Sequence, residues 1–263
     1  MTDKTPSEEW WHAILTGNVP RMPIREARHA FALLSGKARC KFCNAPFDGS
    51  WAPVMRVIGR GPSRLSSQFC HQCQVIATEH LGGTEIQLTV LFADVRGSTQ
   101  LGEQMKPAEF SQLIGRFFSV SSHVLLGSKA WVDRLVGDQV IGIYIPYFVG
   151  PDPEHAAIHA ARDLLHRTGH GTPDGPWIKV GIGIHSGTAF VGTVGSQEGA
   201  TDITVLGDVP NVGARLSSAA GPGEILISED AYVRAEMPPS LEQRTLDLKG
   251  KSRQLIVHVL TGS

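Results

Sequence analysis

Two aspartates and two pairs of cysteines are the residues of this chain whose types and spacing can do chemistry. Asp94 closes the run "LTVLFAD" and is followed by Val95, Arg96, Gly97, Ser98 and Thr99. The run is apolar and β-prone, so it reads as a buried strand. Its carboxylate then stands at the strand's exposed end, where "VRGST" leads into a helix. Backbone N–H groups at a helix N-terminus attract phosphate. Asp138 follows Gly137 in "AWVDRLVGDQVIGIYIP", which reads as a hairpin about a favoured tight-turn pair. If that hairpin pairs with the first strand, the two carboxylates meet and suit hard divalent cations such as Mg²⁺. Two such ions serve phosphoryl chemistry, one at the attacking oxygen and one at the leaving phosphates. Taken singly, Asp94 also fits a helix cap and Gly137-Asp138 a plain turn.

A third element joins them. "TVLGDVPNVGARL" places Asn211 and Arg215 four residues apart, on one face of a short helix. An amide and a guanidinium projecting together suit a ribose and a phosphate, although a polar outer helix face has the same pattern. His185, in "GIHSG", reads as a packed strand-end histidine.

Cys40, Cys43, Cys70 and Cys73 form two C-x-x-C pairs, "CKFC" and "CHQC". In a reducing compartment such pairs hold metal more often than disulfides. Four thiolates suit tetrahedral zinc, and an iron–sulfur cluster would use the same set. Between the pairs, Arg56, Arg60 and Arg64 lie among Gly, Pro and Ser. They read as a solvated loop or a phosphate-binding one.

The elements that position these groups follow from periodicity. Residues 1–38 look helical, residues 39–80 form the cysteine module, and "EHLGGTE" reads as a hinge. From 84 to 262 strands and helices alternate, an α/β sandwich. In "KPAEFSQLIGRFFSVSSHVLLG", Phe110, Leu113, Ile114, Phe117 and Val124 share a helical face, with Pro107 as the start and Gly127 as the stop. "DPEHAAIHAARDLLHRTG" reads as a second helix. "WIKVGIGIHSGTAFVGTVG" reads as two strands about Ser186-Gly187, and "GEILIS" and "RTLDLKG…RQLIVHVL" as late strands. The 263 residues carry a formal charge of -1, which argues against a strong nucleic-acid partner. No apolar run nears the roughly 18 residues a membrane span needs. The acidic start does not read as a signal peptide, so a soluble cytoplasmic protein is expected.

From about Thr84 onward the chain resembles the catalytic domain of class III nucleotidyl cyclases. The stretches that carry the resemblance are "LFADVRGST", "DRLVGDQVIGIY", "VGIGIHSGTAFVGTVG", "TVLGDVPNVGARL" and "LKGKS". The resemblance implies a ferredoxin-like α/β sandwich that works as a homodimer, with two active sites in the interface. It implies two Mg²⁺ or Mn²⁺ per site, held by Asp94, Asp138 and the Val95 carbonyl. Asn211 and Arg215 would act from the partner chain, Arg215 at the α-phosphate. Gly97, Ser98 and Thr99 would meet the nucleotide, and Lys251 (or Lys249) the terminal phosphates. Adenine-using members typically carry Lys where this chain has Arg134, and Asp or Thr where it has Thr204. Guanine-using members usually carry Glu and Cys there. ATP is therefore favoured, and the expected activity is adenylate cyclase, releasing pyrophosphate. A guanylate cyclase and a catalytically silent nucleotide-binding regulatory dimer are the alternatives. Pro210 stands where the family commonly has Val, and deep in a helix it would bend the backbone that aims Asn211 and Arg215.

Overall fold

A computed structural model of the chain describes residues 5–17, 23–64, 67–195, 201–247 and 254–262. They form two compact units, Met1–Ile86 with Phe190–Leu206, and Gln87–Ala189 with Gly207–Ser263.

The first unit contains α1 (Pro6–Thr16), α2 (Pro23–Ala32), α3 (Ala52–Val57), α4 (His71–Glu79) and the start of β1 (Gly82–Val95). Thr5 caps α1 by accepting from the Glu8 N–H, and Gly17 closes it in the left-handed conformation. Trp11 is fully buried, and its indole N–H donates to the His80 carbonyl at 2.8 Å. Trp10 stacks on the His80 ring, and Phe42 stacks on Phe69. A module this small gains much of its core from such aromatic packing. Trp51, by contrast, is exposed.

The second unit holds the rest of β1, then α5 (Ser98–Gln104), α6 (Pro107–Gly127), β2 (Trp131–Val136), β3 (Gln139–Tyr144), α7 (Pro146–Val149), α8 (Pro153–Arg167) and most of β4 (Val180–Gly195). β5 (Thr201–Leu206) belongs to the first unit and pairs with the end of β4. The chain continues through α9 (Asp208–Ala219), β6 (Glu224–Ser228), α10 (Glu229–Arg234), β7 (Glu242–Leu246) and β8 (Leu255–Thr261). The sheet order is β2-β3-β1-β4-β6-β8-β7. β4 runs parallel to β6, whereas β1–β3, β2–β3, β6–β8 and β7–β8 are antiparallel.

Alternation along β1 explains its oily sequence. Leu91, Ala93 and Val95 join the core built with Phe117 and Leu125 of α6 and Ala161 and Leu164 of α8. Val90 and Phe92 point the other way, against Gly213 of α9. A strand covered on both faces loses its polar alternation. α9 adds Val212 and Leu216, and Ala220 just beyond it joins them, in a second apolar cluster with Leu226, Val257 and Val259. α9 lies very close to the sheet. A Cβ on Gly183 would run into the backbone of Ser217 and Gly213, and one on Gly213 would lie 2.7 Å from Phe92 and Val90. This is a mixed α/β fold with one sheet and helices packed on it.

Two expectations are corrected. "EHLGGTE" is not a separate hinge, because β1 already begins at Gly82. The turn expected about Ser186-Gly187 is absent, since β4 runs unbroken for 16 residues. Gly187 serves proximity there, as a Cβ would lie 2.8 Å from Val209, and Ser186 is held by a 2.8 Å hydrogen bond with Thr89. Ser-Gly reads as a turn in sequence, but neighbouring elements decided otherwise. Among the described residues no helix is long and apolar enough to cross a membrane.

Candidate active site and four-cysteine cluster

The β1–β3 ladder brings the two aspartates together. Asp94 pairs across it with Gln139, and the Val95 N–H donates to the Asp138 carbonyl at 3.3 Å. The Gly137-Asp138 turn therefore caps the end of β1. Period-two alternation puts Asp94 on the face of β1 that α9 covers. Two carboxylates and nearby backbone carbonyls are a hard-oxygen donor set, and this fits Mg²⁺ or Mn²⁺.

A residue the sequence reading passed over sits in the same place. The Arg96 guanidinium pairs with Asp94 Oδ2. Its Nη1 also donates to the Ser218 carbonyl at 2.8 Å, at the end of α9. Burial holds Arg96 below the usual arginine range, and the charge of Asp138 opposes that shift. The signal available in the sequence was its position two residues after Asp94. An i, i+2 pair returns to the same side of an extended chain.

Gly97 begins α5 in a left-handed conformation, φ 72°, which a glycine adopts without strain. Ser98 and Thr99 form the first turn of that seven-residue helix. On α9, Asn211 is exposed and Arg215 half-buried. The Asn211 amide donates to the Gly207 carbonyl at 3.0 Å, one turn back. Pro210 is the third residue of α9. Its missing N–H falls among the first four, which have no helical acceptor, so the helix is not broken. Arg134 lies in β2 where the ladder register shifts between Val132 and Leu135, and its side chain is outside the described residues. Thr204 is half-buried on β5 opposite Gly192, in the first unit. Lys249 and Lys251 lie outside the described residues. His185 is buried and hydrogen-bonded to Ser228 Oγ at 2.8 Å.

In the first unit, one sulfur of each of Cys40, Cys43, Cys70 and Cys73 lies within 4.8 Å of the others, and all four residues are buried. The Cys70 N–H donates to the Cys40 sulfur at 3.2 Å, and the Cys73 N–H to the Cys70 sulfur at 3.4 Å. Burial pushes the Cys40 thiol up, while a hydrogen bond with Cys40 pulls Cys43 down. Sulfurs crowded in this way cannot all ionise unless a cation joins them. Arg60 is half-buried beside this cluster, with its guanidinium 5.3 Å from the Phe31 ring, whereas Arg56 and Arg64 are exposed. The charge of Cys43 raises Arg60 against the lowering effect of burial.

The profile of the adenylate and guanylate cyclase catalytic domain family matches residues 84–262. The chain belongs to this family. The cyclase domain superposes on the guanylyl cyclase Cya2 with a TM-score of 0.58 and 26% identity, covering 68% of this chain and 93% of that one. It superposes equally on the adenylyl cyclase CyaB from P. aeruginosa, again at 0.58 and 26%, covering 68% of this chain and 96% of the other. An adenylate cyclase of Anabaena cylindrica is 28% identical over 205 residues, which are 70% of this chain and 40% of that protein. An uncharacterized protein of Mycobacterium tuberculosis is 33% identical over 153 residues, 57% of this chain and 28% of its own length. This chain thus spans less than half the length of the curated relatives it matches. In the cyclase domain the matched span contains Asp94, Asp138, Asn211 and Arg215, while the four cysteines lie before it.

Proposed function

We propose that the chain is an adenylate cyclase that converts ATP to 3′,5′-cyclic AMP and pyrophosphate in a site shared by two copies of itself. The observation that carries the reading is the β1–β3 register, which sets Asp94 across from Gln139 and so beside Asp138. Two Mg²⁺ or Mn²⁺ held by Asp94, Asp138 and the Val95 carbonyl would supply Lewis-acid charge to the ribose 3′-hydroxyl and to the departing phosphates.

The residues of this chain do the rest. In the reaction the 3′-oxygen forms a bond to the α-phosphorus, the bond from that phosphorus to the bridging oxygen of the β-phosphate breaks, and the hydroxyl proton passes to solvent. Arg215, from the partner copy, stabilises charge gathering on the α-phosphate, because its fork donates to two oxygens at once. Asn211 orients the ribose from the same helix. Gly97, Ser98 and Thr99 offer backbone N–H and hydroxyl groups to the phosphates, and Lys251 a further charge. Thr204 accepts from the exocyclic amine of adenine, and Arg134 donates to a ring nitrogen.

The four cysteines are proposed to hold one structural Zn²⁺. Tetrahedral Zn–S bonds of about 2.3 Å put neighbouring sulfurs about 3.8 Å apart. The Cys43–Cys70 separation of 3.7 Å supports this. All four sulfurs lie within 4.8 Å of one another, a spacing that suits one ion better than a multi-iron cluster.

Purified protein assayed with ATP and with GTP, each with Mg²⁺ and Mn²⁺, tests the reading. Cyclic AMP and pyrophosphate in equal amounts are expected. Cyclic GMP as the main product would reassign the base, and no product with either nucleotide would leave a silent nucleotide-binding dimer.

A further inference from the structure

Arg96 occupies a position that neither a helix cap nor a surface ion pair alone explains. One nitrogen of its guanidinium faces Asp94, and another donates to the Ser218 carbonyl and reaches the Ala220 carbonyl at 3.5 Å. These carbonyls close α9, where the last C=O groups lack helical partners and the helix dipole favours a cation. The Arg96 Nε is buried without a hydrogen-bond partner. The side chain is 18% exposed, so water screens its charge only in part. Its own backbone N–H is fixed to the Lys179 carbonyl at 2.8 Å. The group is held from both ends, and its charge lies against the carboxylate pair.

We propose that Arg96 is the resident counter-cation of the metal site, a positioning residue that weakens the site's grip on free divalent ions until a nucleotide arrives. This rests on the two-carboxylate reading of Asp94 and Asp138. Two carboxylates carry two negative charges, and Arg96 leaves one uncompensated. A divalent ion entering alone meets the guanidinium's repulsion at close range, where like charges disfavour each other strongly. A nucleoside triphosphate brings enough negative charge to cancel that repulsion, so ions and nucleotide enter together. Meanwhile Arg96 keeps Asp94 aimed, and keeps the end of α9 beside it.

The test is Mn²⁺ binding without nucleotide, followed by the loss of the free-ion paramagnetic resonance signal in zinc-loaded protein. Arg96→Gln removes the charge and is expected to bind Mn²⁺ about tenfold more tightly than wild type. Arg96→Lys keeps the charge but loses the fork, and is expected to stay within about twofold of wild type. Arg96→Met carries the same expectation as Arg96→Gln and replaces it if the glutamine variant does not fold. Unchanged or weaker Mn²⁺ binding in the neutral variants overturns the proposal, as does equal tightening by Arg96→Lys. Asp94→Asn and Asp138→Asn serve as the separate check. If they lose Mn²⁺ while the Arg96 variants gain none, only the role of Arg96 falls. If they bind Mn²⁺ like wild type, the two-carboxylate reading falls with it.

Discussion

Asp94 stands across the ladder from Gln139, one residue beyond Asp138. Both aspartates lie at the same end of the β1–β3 ladder, inside the sheet rather than at its edge. Asp94→Asn and Asp138→Asn preserve shape and remove charge. Each is expected to lower cyclic-nucleotide formation by about 1000-fold or more, since each weakens the grip on ions that bear several kcal/mol of transition-state charge. Circular dichroism melting should show both variants folded. Turnover within tenfold of wild type in either would remove the two-metal reading.

A shared site makes a prediction of its own. Asp94→Asn and Arg215→Ala should each be inactive alone. Mixed in equal amounts and allowed to exchange, they should recover about a quarter of wild-type activity, because half the dimers are mixed and each of those has one intact site. No recovery, with exchange shown by differently tagged chains, would place the whole site within one copy.

Gly213 gives α9 its close seat on the sheet. A methyl group there would press on Phe92 and Val90 at 2.7 Å. Gly213→Ala gains helix propensity but must lift the helix, and a net loss of about 1–3 kcal/mol is expected in urea unfolding. Activity should fall as well, because Asn211 and Arg215 ride on the same helix. An equally stable variant would show that α9 can move without cost.

Zinc should be found at one ion per chain, and Cys70→Ser should abolish stoichiometric binding. Stability is expected to fall in the first unit, where α4 starts at this cysteine and the Cys70 sulfur accepts from the Cys73 N–H. Limited proteolysis should then cut within residues 39–80 ahead of the cyclase domain. Iron and labile sulfide in the purified protein would replace the assignment.

His170 supplies a pH dependence. Burial lowers its pKa from the ordinary 6.5, and it is hydrogen-bonded to Thr168 and to the Val180 N–H. The folded chain therefore holds it neutral, while the unfolded chain takes up the proton below about pH 6.5. Its contribution is complete above that pH and declines as the pH falls below it. Melting temperatures from pH 7.5 to 5 should drop less steeply in His170→Gln than in wild type. Parallel slopes would show that other groups govern the acid limb.

Much of this molecule was legible in the chain. The strand ending in Asp94, the hairpin at Gly137-Asp138, the helix from Pro107 to Gly127 and the paired cysteines all follow from local rules of periodicity, turn chemistry and ligand spacing, and the structure has each element. Local rules failed where a distant segment decided the outcome. Ser186-Gly187 looked like a turn until Val209 and Thr89 required a flat, close passage. The short α3, α4 and α10 were missed because they carry too few turns to show a period. By itself, then, the sequence determined which residues carry charge, sulfur and apolar surface, and in what order. Only the tertiary structure decided that Arg96 reaches from Asp94 to the end of α9, because that contact spans 122 residues of chain and depends on how closely a helix can lie on a sheet.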